Sequence, residues 1–403
     1  MKDGWKKWLV MLLLAVLALH GAEEVCLGMS AVKAEDADEN KAEEAGEAKK
    51  VQEQAEEMIL GEIEFEELNR AVRKAFPKER ITFEDLMDAL LGEGETLPRE
   101  LVAGYAADTL FYVLRANRPA MISLLLLVIV AAVFSNFSSV FGSRQVAQIG
   151  FYIVYILLVT TCLQAFKATV QEVTDSIGQL TGFMQVLSPV YFLTMSIAVG
   201  SVSAISFYQL TLLVIYLVEL FILHFLLPLI HVYLMLQVIN FLSEEPYLTK
   251  LAELTQTVIG WSLKTVLAVV TGFGFLRGLI GPAVDTVKRS TFTKGAEMIP
   301  GVGDAIGGMT EIILGTAVML KNGVGAAGAV LVVGICLVPI LNMGALTLLY
   351  RGMAALIQPI SDKRIVEMVN SVGVGCQMLL HVVFTTGVLF LITIAVAAAV
   401  VGS

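Results

Sequence analysis

Charged side chains are scarce in this sequence. Only 16% of its 403 residues are Asp, Glu, Lys or Arg, whereas 57% are hydrophobic. Soluble globular proteins carry about 25% charged residues, so the composition excludes an ordinary soluble domain. Because an apolar chain in lipid must satisfy its own backbone polar groups, we predict an all-α, polytopic helical membrane protein.

Residues that form disulfides or hold metals are also few. The four cysteines, Cys26, Cys162, Cys336 and Cys376, are scattered along the chain, and the last three lie in apolar runs. This pattern indicates neither a disulfide framework nor a metal cluster. His224 and His231 follow Glu219 in one apolar run. They are compatible with a proton relay or a metal site, although interior polar groups satisfied by their neighbours are the commoner explanation.

The motifs of several enzyme classes are missing. The glycine-rich stretches do not match the phosphate-binding pattern G-x-x-x-x-G-K-[ST], and neither a H-E-x-x-H motif nor a nucleophile elbow occurs. We therefore predict a protein that is not an enzyme, with no catalytic, cofactor-binding or metal-binding residue. Any use of ATP would have to come from a partner.

The start of the chain predicts export. Three lysines precede a short apolar stretch at residues 8–19, and a small-residue cleavage pattern follows at 32–34. We interpret residues 1–34 as a signal peptide, with an uncleaved N-terminal anchor as the alternative. Residues 35–60 are mostly Ala, Glu, Asp and Lys, which predicts a disordered acidic linker.

Helical patterns follow the linker. Apolar residues recur at helical spacing in residues 63–76, in 83–91 behind a possible Thr82 cap, and in 101–114. We predict that residues 61–118 form a small extracytoplasmic helical region of about three short helices. It would serve either as a docking surface or as a lid that packs on the membrane domain.

Residues 119–403 form the predicted multi-span membrane domain. Its apolar runs are each long enough for one crossing. They lie at about 120–141, 148–166, 183–205, 208–242, 256–280, 299–320, 324–350 and 372–400. Pro228 could divide the fourth run in two, so the prediction is seven to nine spans.

The positive-inside rule suggests an orientation for these spans. If the mature N-terminus is outside and every run crosses once, Arg144 lies inside, and the acidic segments at 172–175 and 244–245 lie outside. The basic clusters at 288–294 and 351–364 then lie inside. That arrangement requires the intervening 299–320 run to span, although a re-entrant segment stays possible.

The start of that run combines acids with glycines. At helical spacing, Gly303, Gly307, Glu311 and Gly315 follow one another at four-residue steps, and Asp304 lies two turns before Glu311. Such a stripe allows close helix packing. Alternatively, its acids line a polar path or meet a partner subunit, because carboxylates in a membrane helix face protein or water. These five residues are the candidate site.

Three short strings carry a family resemblance. They are Ile299-Pro-Gly-Val-Gly303, Leu320-Lys-Asn-Gly-Val-Gly325 and Gln358-Pro-Ile-Ser-Asp362. Together with the signal peptide, the acidic linker and the order of spans, they make the chain from about residue 60 onward resemble stage III sporulation protein AE. No catalytic residue is carried over by this resemblance.

The resemblance implies a multi-pass subunit of the apparatus that links mother cell and forespore in endospore-forming bacteria. It would lie in the outer forespore membrane, with its N-terminal region extracytoplasmic. Its expected partners are the other membrane and intermembrane-space subunits and a separate cytosolic ATPase, and no nucleic acid. Two alternatives remain at this point: a stand-alone secondary transporter or permease, and a passive membrane scaffold.

Overall fold

A computed structural model describes residues 65–75, 82–91, 144–199, 203–243, 245–296 and 303–399, together with isolated positions at 54, 61 and between 111 and 133. No strand occurs among these residues, which confirms the all-α prediction. The helices are α1 (Phe65–Ala75), α2 (Phe83–Leu91), α3 (Arg144–Val199), α4 (Ser203–Phe221), α5 (Leu227–Leu242), α6 (Thr249–Ala296), α7 (Gly303–Ile357) and α8 (Lys363–Ala399).

Residues 54–403 form one compact unit, in which the long helices run in alternating directions. The Tyr155 hydroxyl near the start of α3 donates to the Val238 carbonyl near the end of α5, at 2.8 Å. The Arg364 guanidinium at the start of α8 lies 3.6 Å from the centre of the Phe151 ring. These contacts bring the starts of α3 and α8 to one end of the bundle.

We call that end the turn end, because it contains the short connections at 243–248 and 358–362. At the opposite end, Thr211 of α4, Val270 of α6 and Ile392 of α8 line one small cavity. The helices α3, α4–α5, α6, α7 and α8 therefore form an antiparallel up-and-down arrangement between the two ends.

Five helices in the described part of the chain are long and apolar enough to cross a membrane. The candidate spans are Ile149–Thr194, Gln209–Leu242, Thr249–Phe273, Gly315–Ile357 and Lys363–Ala398. The first has 46 residues and measures about 69 Å at 1.5 Å per residue. That is about twice the ~30 Å hydrocarbon core of a bilayer. The seven to nine spans predicted from the sequence are not confirmed.

The breaks predicted between four of the apolar runs are wrong. The run at 148–166 and residues 183–199 of the next run belong to the single 56-residue helix α3, while residues 203–205 of that run start α4. Those at 299–320 and 324–350 fall within the 55-residue helix α7, apart from residues 299–302, which lie outside the described residues. From residue 303 on, this segment is thus the start of a longer helix rather than a separate or re-entrant one. Next to it, Lys321 continues the helix because its side chain finds a partner inside the bundle.

The fourth predicted run, at 208–242, is continuous as well. A π-helical turn, Ile222–Leu226, joins α4 to α5, and the Leu227 N–H donates to the Ile222 carbonyl five residues earlier. Pro228 has no N–H, so the helix cannot make its ordinary i to i−4 bond at that residue. A single wider turn absorbs this defect without ending the helix.

These continuous helices change the predicted orientation. The sequence placed the acidic segment at 244–245 on the opposite side from Arg144, because three runs were expected between them. The structure has two long segments there, α3 and α4–α5, so Arg144 and Glu245 both lie at the turn end. The prediction that 244–245 and Arg144 face opposite sides is wrong.

The two short N-terminal helices pack on the long ones. The inward residues of α1, Phe65, Leu68 and Val72, share an apolar core with α3, and those of α2, Phe83 and Met87, share it with α7. The outer face of α1 is charged and exposed, with Glu66, Glu67, Arg70, Arg73 and Lys74. The helices α1 and α2 therefore pack on the long helices, as in one of the two interpretations of the sequence.

The predicted Thr82 cap is confirmed. The Asp85 N–H donates to the Thr82 hydroxyl and the Thr82 N–H donates to the Asp85 carboxylate, each at 3.1 Å. This reciprocal pair satisfies two backbone donors at the start of α2. The bonds from Thr82 lower the pKa of Asp85, because they favour its charged form. The signal peptide, the acidic linker apart from residue 54, and residues 101–110 of the helix predicted at 101–114 lie outside the described residues.

Candidate functional site

The predicted stripe lies on the first turns of α7. Gly303, Asp304, Gly307 and Glu311 have helical backbones, but their side-chain environments lie outside the described residues. Gly315 is exposed, and no described atom lies within 4 Å of a Cβ built there. Close packing at Gly315 is thus not seen among the residues that the structure describes. The role of the stripe as an interface or a path stays a prediction.

The described part of α7 lies between α3 and α8. A Cβ added at Gly328 would come within 2.6 Å of the Leu187 side chain on α3, and one added at Gly387 of α8 would come within 2.8 Å of Cys336 Sγ on α7. A methyl group does not fit at such distances without a shift of the neighbour. These glycines let three long helices approach closely, as small residues do in membrane bundles.

One carboxylate lies inside this three-helix contact. The Asn342 side-chain nitrogen on α7 donates to the Glu172 carboxylate in the middle of α3. Both side chains are partly buried. An amide donor compensates some of the cost of removing a carboxylate from water. This bond explains why α3 passes through its polar segment without a loop.

A lysine is buried near the opposite end of the bundle. Lys321 of α7 is 2% exposed, and its Nζ donates to the Ala398 carbonyl of α8 at 3.2 Å. Ala398 is in the last turn of α8, where carbonyl groups have no intrahelical donor and the helix dipole is negative. The ammonium therefore caps the end of α8. Because its charge is compensated there, α7 can continue through Lys321 as a helix.

Other polar groups lie along the contact between α7 and α8. The Arg351 guanidinium donates to the Gln377 side-chain oxygen at 2.5 Å. Near α8, Gln237 of α5 donates its side-chain nitrogen to the Tyr233 hydroxyl at 3.3 Å. The Arg351 pair is exposed, whereas the pair between Gln237 and Tyr233 is partly buried.

The histidines do not assemble the alternative site. His231 contacts the Leu227 carbonyl through Nδ1 at 3.1 Å and meets the Phe166 ring edge-on, while His224 is exposed. Among the described residues, no group of three His, Cys, Asp or Glu side chains is placed to hold a metal. The arrangement around His231 is that of an interior polar group satisfied by its own helix.

Sequence reasoning missed Glu172, Asn342 and Lys321 as interior groups. Glu172 was assigned to a loop because charged residues separate two apolar runs there, and Lys321 was assigned to the gap between two others. The signal that was available is their position within otherwise apolar stretches, where an ionisable residue faces the bundle interior. Their partners are 170 and 77 residues away in the chain, beyond what local patterns reveal.

Comparison with known proteins identifies the family. The family model described as stage III sporulation protein AE (spore_III_AE) matches residues 81–401. The chain belongs to the stage III sporulation protein AE family. The stage III sporulation protein AE of Bacillus subtilis (strain 168) is 23% identical to it over 313 residues, which is 77% of this chain and 78% of that protein. No solved structure matches the chain.

The match confirms the resemblance stated from the sequence. The three strings at 299–303, 320–325 and 358–362 all lie within the residues matched by stage III sporulation protein AE. The protein is therefore a multi-pass membrane protein of sporulation. Its family is one of sporulation membrane proteins rather than a known family of enzymes.

Proposed function

We propose that this protein is a membrane subunit of the channel or export apparatus that connects mother cell and forespore, required for forespore development after engulfment. It acts in the outer forespore membrane with other membrane and intermembrane-space subunits, and a separate cytosolic ATPase supplies energy. The observation that carries the proposal is the family match over residues 81–401.

Two features of the bundle support a role as a subunit. Its candidate spans reach 46 residues, so the bundle is longer than one hydrocarbon core is thick, and part of it extends beyond the bilayer. Helices α1 and α2 cover α3 and α7 towards the opposite end and turn charged faces outward. A charged face belongs in water, and we place this end in the intermembrane space, where it is available to partners.

Deletion of the coding sequence in its endospore-forming host tests the proposal. We expect engulfment to proceed and forespore development to stop afterwards, with recovery when the intact protein is supplied from the mother cell. Other stage III subunits should co-purify with the complementing protein. Normal spores from the deletion strain, or transport of a substrate by the purified protein alone in liposomes, would contradict a role as an apparatus subunit.

The stripe at the start of α7 is tested separately. In a functional variant without native cysteines, single cysteines at 304, 307 and 311 should react with a small aqueous reagent, and those at 305, 309 and 313 should not. This pattern is expected if the stripe lines a path. Wild-type sporulation by Asp304→Leu and Glu311→Leu variants that assemble normally would rule out a functional role for its acids.

A further inference from the structure

We propose that two copies of this chain pair inside the bilayer through one face of α3. We call this face the α3 seam. It consists of Gln164, Ala168, Gln171, Asp175, Gly178 and Gly182, none of which is buried. The pairing does not depend on the channel role proposed above, and it concerns a different surface from the stripe at the start of α7.

The α3 seam lies at the depth of the hydrocarbon core. The Tyr155 hydroxyl reaches the Val238 carbonyl, so these two residues mark one level of the antiparallel helices α3 and α5. In α4–α5, the exposed side chains at 213–242 are apolar, with one histidine as the exception, over about 44 Å. A core of ~30 Å placed anywhere within this stretch includes its middle, residues 222–233. Counted from Tyr155, residues 160–171 of α3 lie at that level.

Polar side chains on and beside the α3 seam are unsuited to lipid at that depth. Gln164, Gln171 and the neighbouring Lys167 are exposed within this chain. A lysine in the middle of a membrane helix costs about 2.5–3.5 kcal/mol, and lipid tails offer no hydrogen-bond partner to a glutamine amide. Polar side chains do hydrogen-bond across helices in membrane bundles. A second protein surface over this face would supply the partners that lipid lacks.

The spacing of the α3 seam is that of a helix packed along another helix. Its six positions follow one another at alternating steps of four and three residues, which is the a and d pattern of a left-handed helix pair. In lipid, small and polar residues mediate such contacts. A Cβ built at Gly178 or Gly182 meets no described atom within 4 Å, whereas Gly328 of α7 is filled by Leu187 of α3. The two glycines of the seam are thus open to a helix from outside.

The charges beside the α3 seam favour a second copy over an unrelated helix. In a parallel helix pair, interhelical ion pairs join residues that flank the seam, five positions apart in sequence. Lys167 and Glu172 have this spacing on opposite sides of the seam, so a two-fold pair would form two such ion pairs. None of the ion pairs found among the described residues includes either side chain. Glu172 is only half-buried beside its donor Asn342, so its carboxylate can accept from a second partner.

The remaining seam residues are compatible with a two-fold axis. Equivalent residues face each other across such an axis. Glutamine is both donor and acceptor, so Gln164 and Gln171 can each pair with the same residue of the other copy. Asp175 is the one like charge near the axis, and Gln171 donates to it at 3.0 Å. Two copies in one membrane have the same orientation, which makes the pair parallel.

Disulfide trapping of the full-length protein tests the pair. A variant without native cysteines that supports sporulation is expressed in a bacterial host without other stage III proteins, and its membranes are oxidised. Single cysteines at 164, 171 and 178 should give disulfide-linked dimers. Leu217→Cys and Met235→Cys are the matched controls, because both side chains are exposed on the apolar face of α4–α5. These two variants should stay monomeric.

Charge changes test the ion pairs. With the single cysteine at 171, Lys167→Glu places two carboxylates against each other and should lower the yield of dimer about fivefold, which corresponds to about 1 kcal/mol. Adding Glu172→Gln removes one of the two charges and should restore most of the yield. Lys250→Glu is the control, because that side chain is 90% exposed at the turn end, and it should leave the yield unchanged.

Three results would overturn the proposal. The first is the absence of dimers at all three seam positions in protein with the circular dichroism and elution of the wild type. The second is an equal yield of dimer at the seam and control positions, which indicates random collision. The third is an unchanged yield in Lys167→Glu, which contradicts a parallel two-fold pair. Monomeric seam cysteines that react with a small aqueous reagent would show that this face lines water instead. The deletion strain tests the channel role independently of all these results.

Discussion

The two faces of α7 are built in opposite ways. Towards α3 the small residues belong to α7, where Gly325 and Gly328 receive large side chains from the partner. Towards α8 the small residues belong to the partner, where Gly373 and Gly387 receive side chains from α7. One helix therefore presents its backbone on one face and its side chains on the other. The helices approach similarly closely at both contacts: an added Cβ would lie 2.6 Å from Leu187 at Gly328 and 2.8 Å from Cys336 at Gly387.

The charged groups on the two faces also differ. Towards α8, Lys321 meets the last turn of the helix, where the Ala398 carbonyl supplies an acceptor and the dipole a partial negative charge. Towards α3, Glu172 meets the neutral Asn342. A buried ammonium can thus be compensated by backbone alone, whereas the partly buried carboxylate is compensated by one neutral side chain.

Reversing the charge at Lys321 should give the largest effect. Lys321→Glu places a carboxylate against the negative end of α8, so both desolvation and repulsion act in the same direction. We expect a loss of about 3–5 kcal/mol in the free energy of unfolding, measured by denaturant titration in detergent micelles. Lys250→Glu is the control, because that side chain is 90% exposed, and it should change stability by less than about 1 kcal/mol.

Removing the donor to Glu172 should have the next largest effect. Asn342→Leu leaves the carboxylate without its amide, and we expect a loss of about 1.5–3 kcal/mol, the range for hydrogen bonds to charged groups. The double variant Glu172→Leu/Asn342→Leu should recover most of that loss, because removing both polar partners is nearly neutral. Double-variant stability equal to the sum of the two single losses would show that the pair does not interact.

The two faces of α7 also show what the sequence could predict. Helix type and apolar character follow from local patterns, and so does the Thr82 cap, because all its partners lie within one turn. The breaks predicted at Glu172 and Lys321 are wrong because whether the helix continues there depends on partners that are distant in the sequence. A charged residue ends an apolar helix only if nothing in the bundle compensates it, and its partner is known only once the helices are packed.

For the candidate stripe, the sequence could predict the helical spacing of the residues but not their contacts. Its glycines and acids are on the helix that the sequence indicated. Which glycines make close contacts was not predictable, because small-residue ladders look alike in sequence. Gly328 meets Leu187, while Gly315 and Gly344 on the same helix have open space in the described structure. The difference arises from the rotation of α7 against its neighbours.

Because of that rotation, a Gly→Ala substitution should change the stability in opposite directions at two positions of α7. Gly328→Ala places a methyl group 2.6 Å from Leu187 Cδ2, and we expect a loss of about 1–2 kcal/mol because the core is overpacked. Gly344→Ala meets no described atom within 4 Å and should be neutral or stabilising by up to about 1 kcal/mol, because alanine favours the helix. Equal unfolding free energies for the two variants would contradict the packing of α7 on α3.

The smallest effect concerns α2, which covers α7 beside the Gly328 contact. Thr82→Ala removes the acceptor for the Asp85 N–H, and loss of such a cap costs about 1 kcal/mol. We expect amide exchange in α2 to become about fivefold faster while exchange in α7 is unchanged, and Thr82→Ser should restore protection.

The same cap has a defined pH dependence. The pKa of Asp85 is lowered in the folded protein, so its stabilising contribution is present above the unfolded value of about 3.9 and is lost as the pH falls through the lowered folded value. Exchange in α2 should therefore accelerate in that acidic window in the wild-type protein, and much less in Thr82→Ala, where the bond from the Thr82 side chain is already absent. Equal acceleration in both proteins would mean that Asp85 acts independently of that side chain.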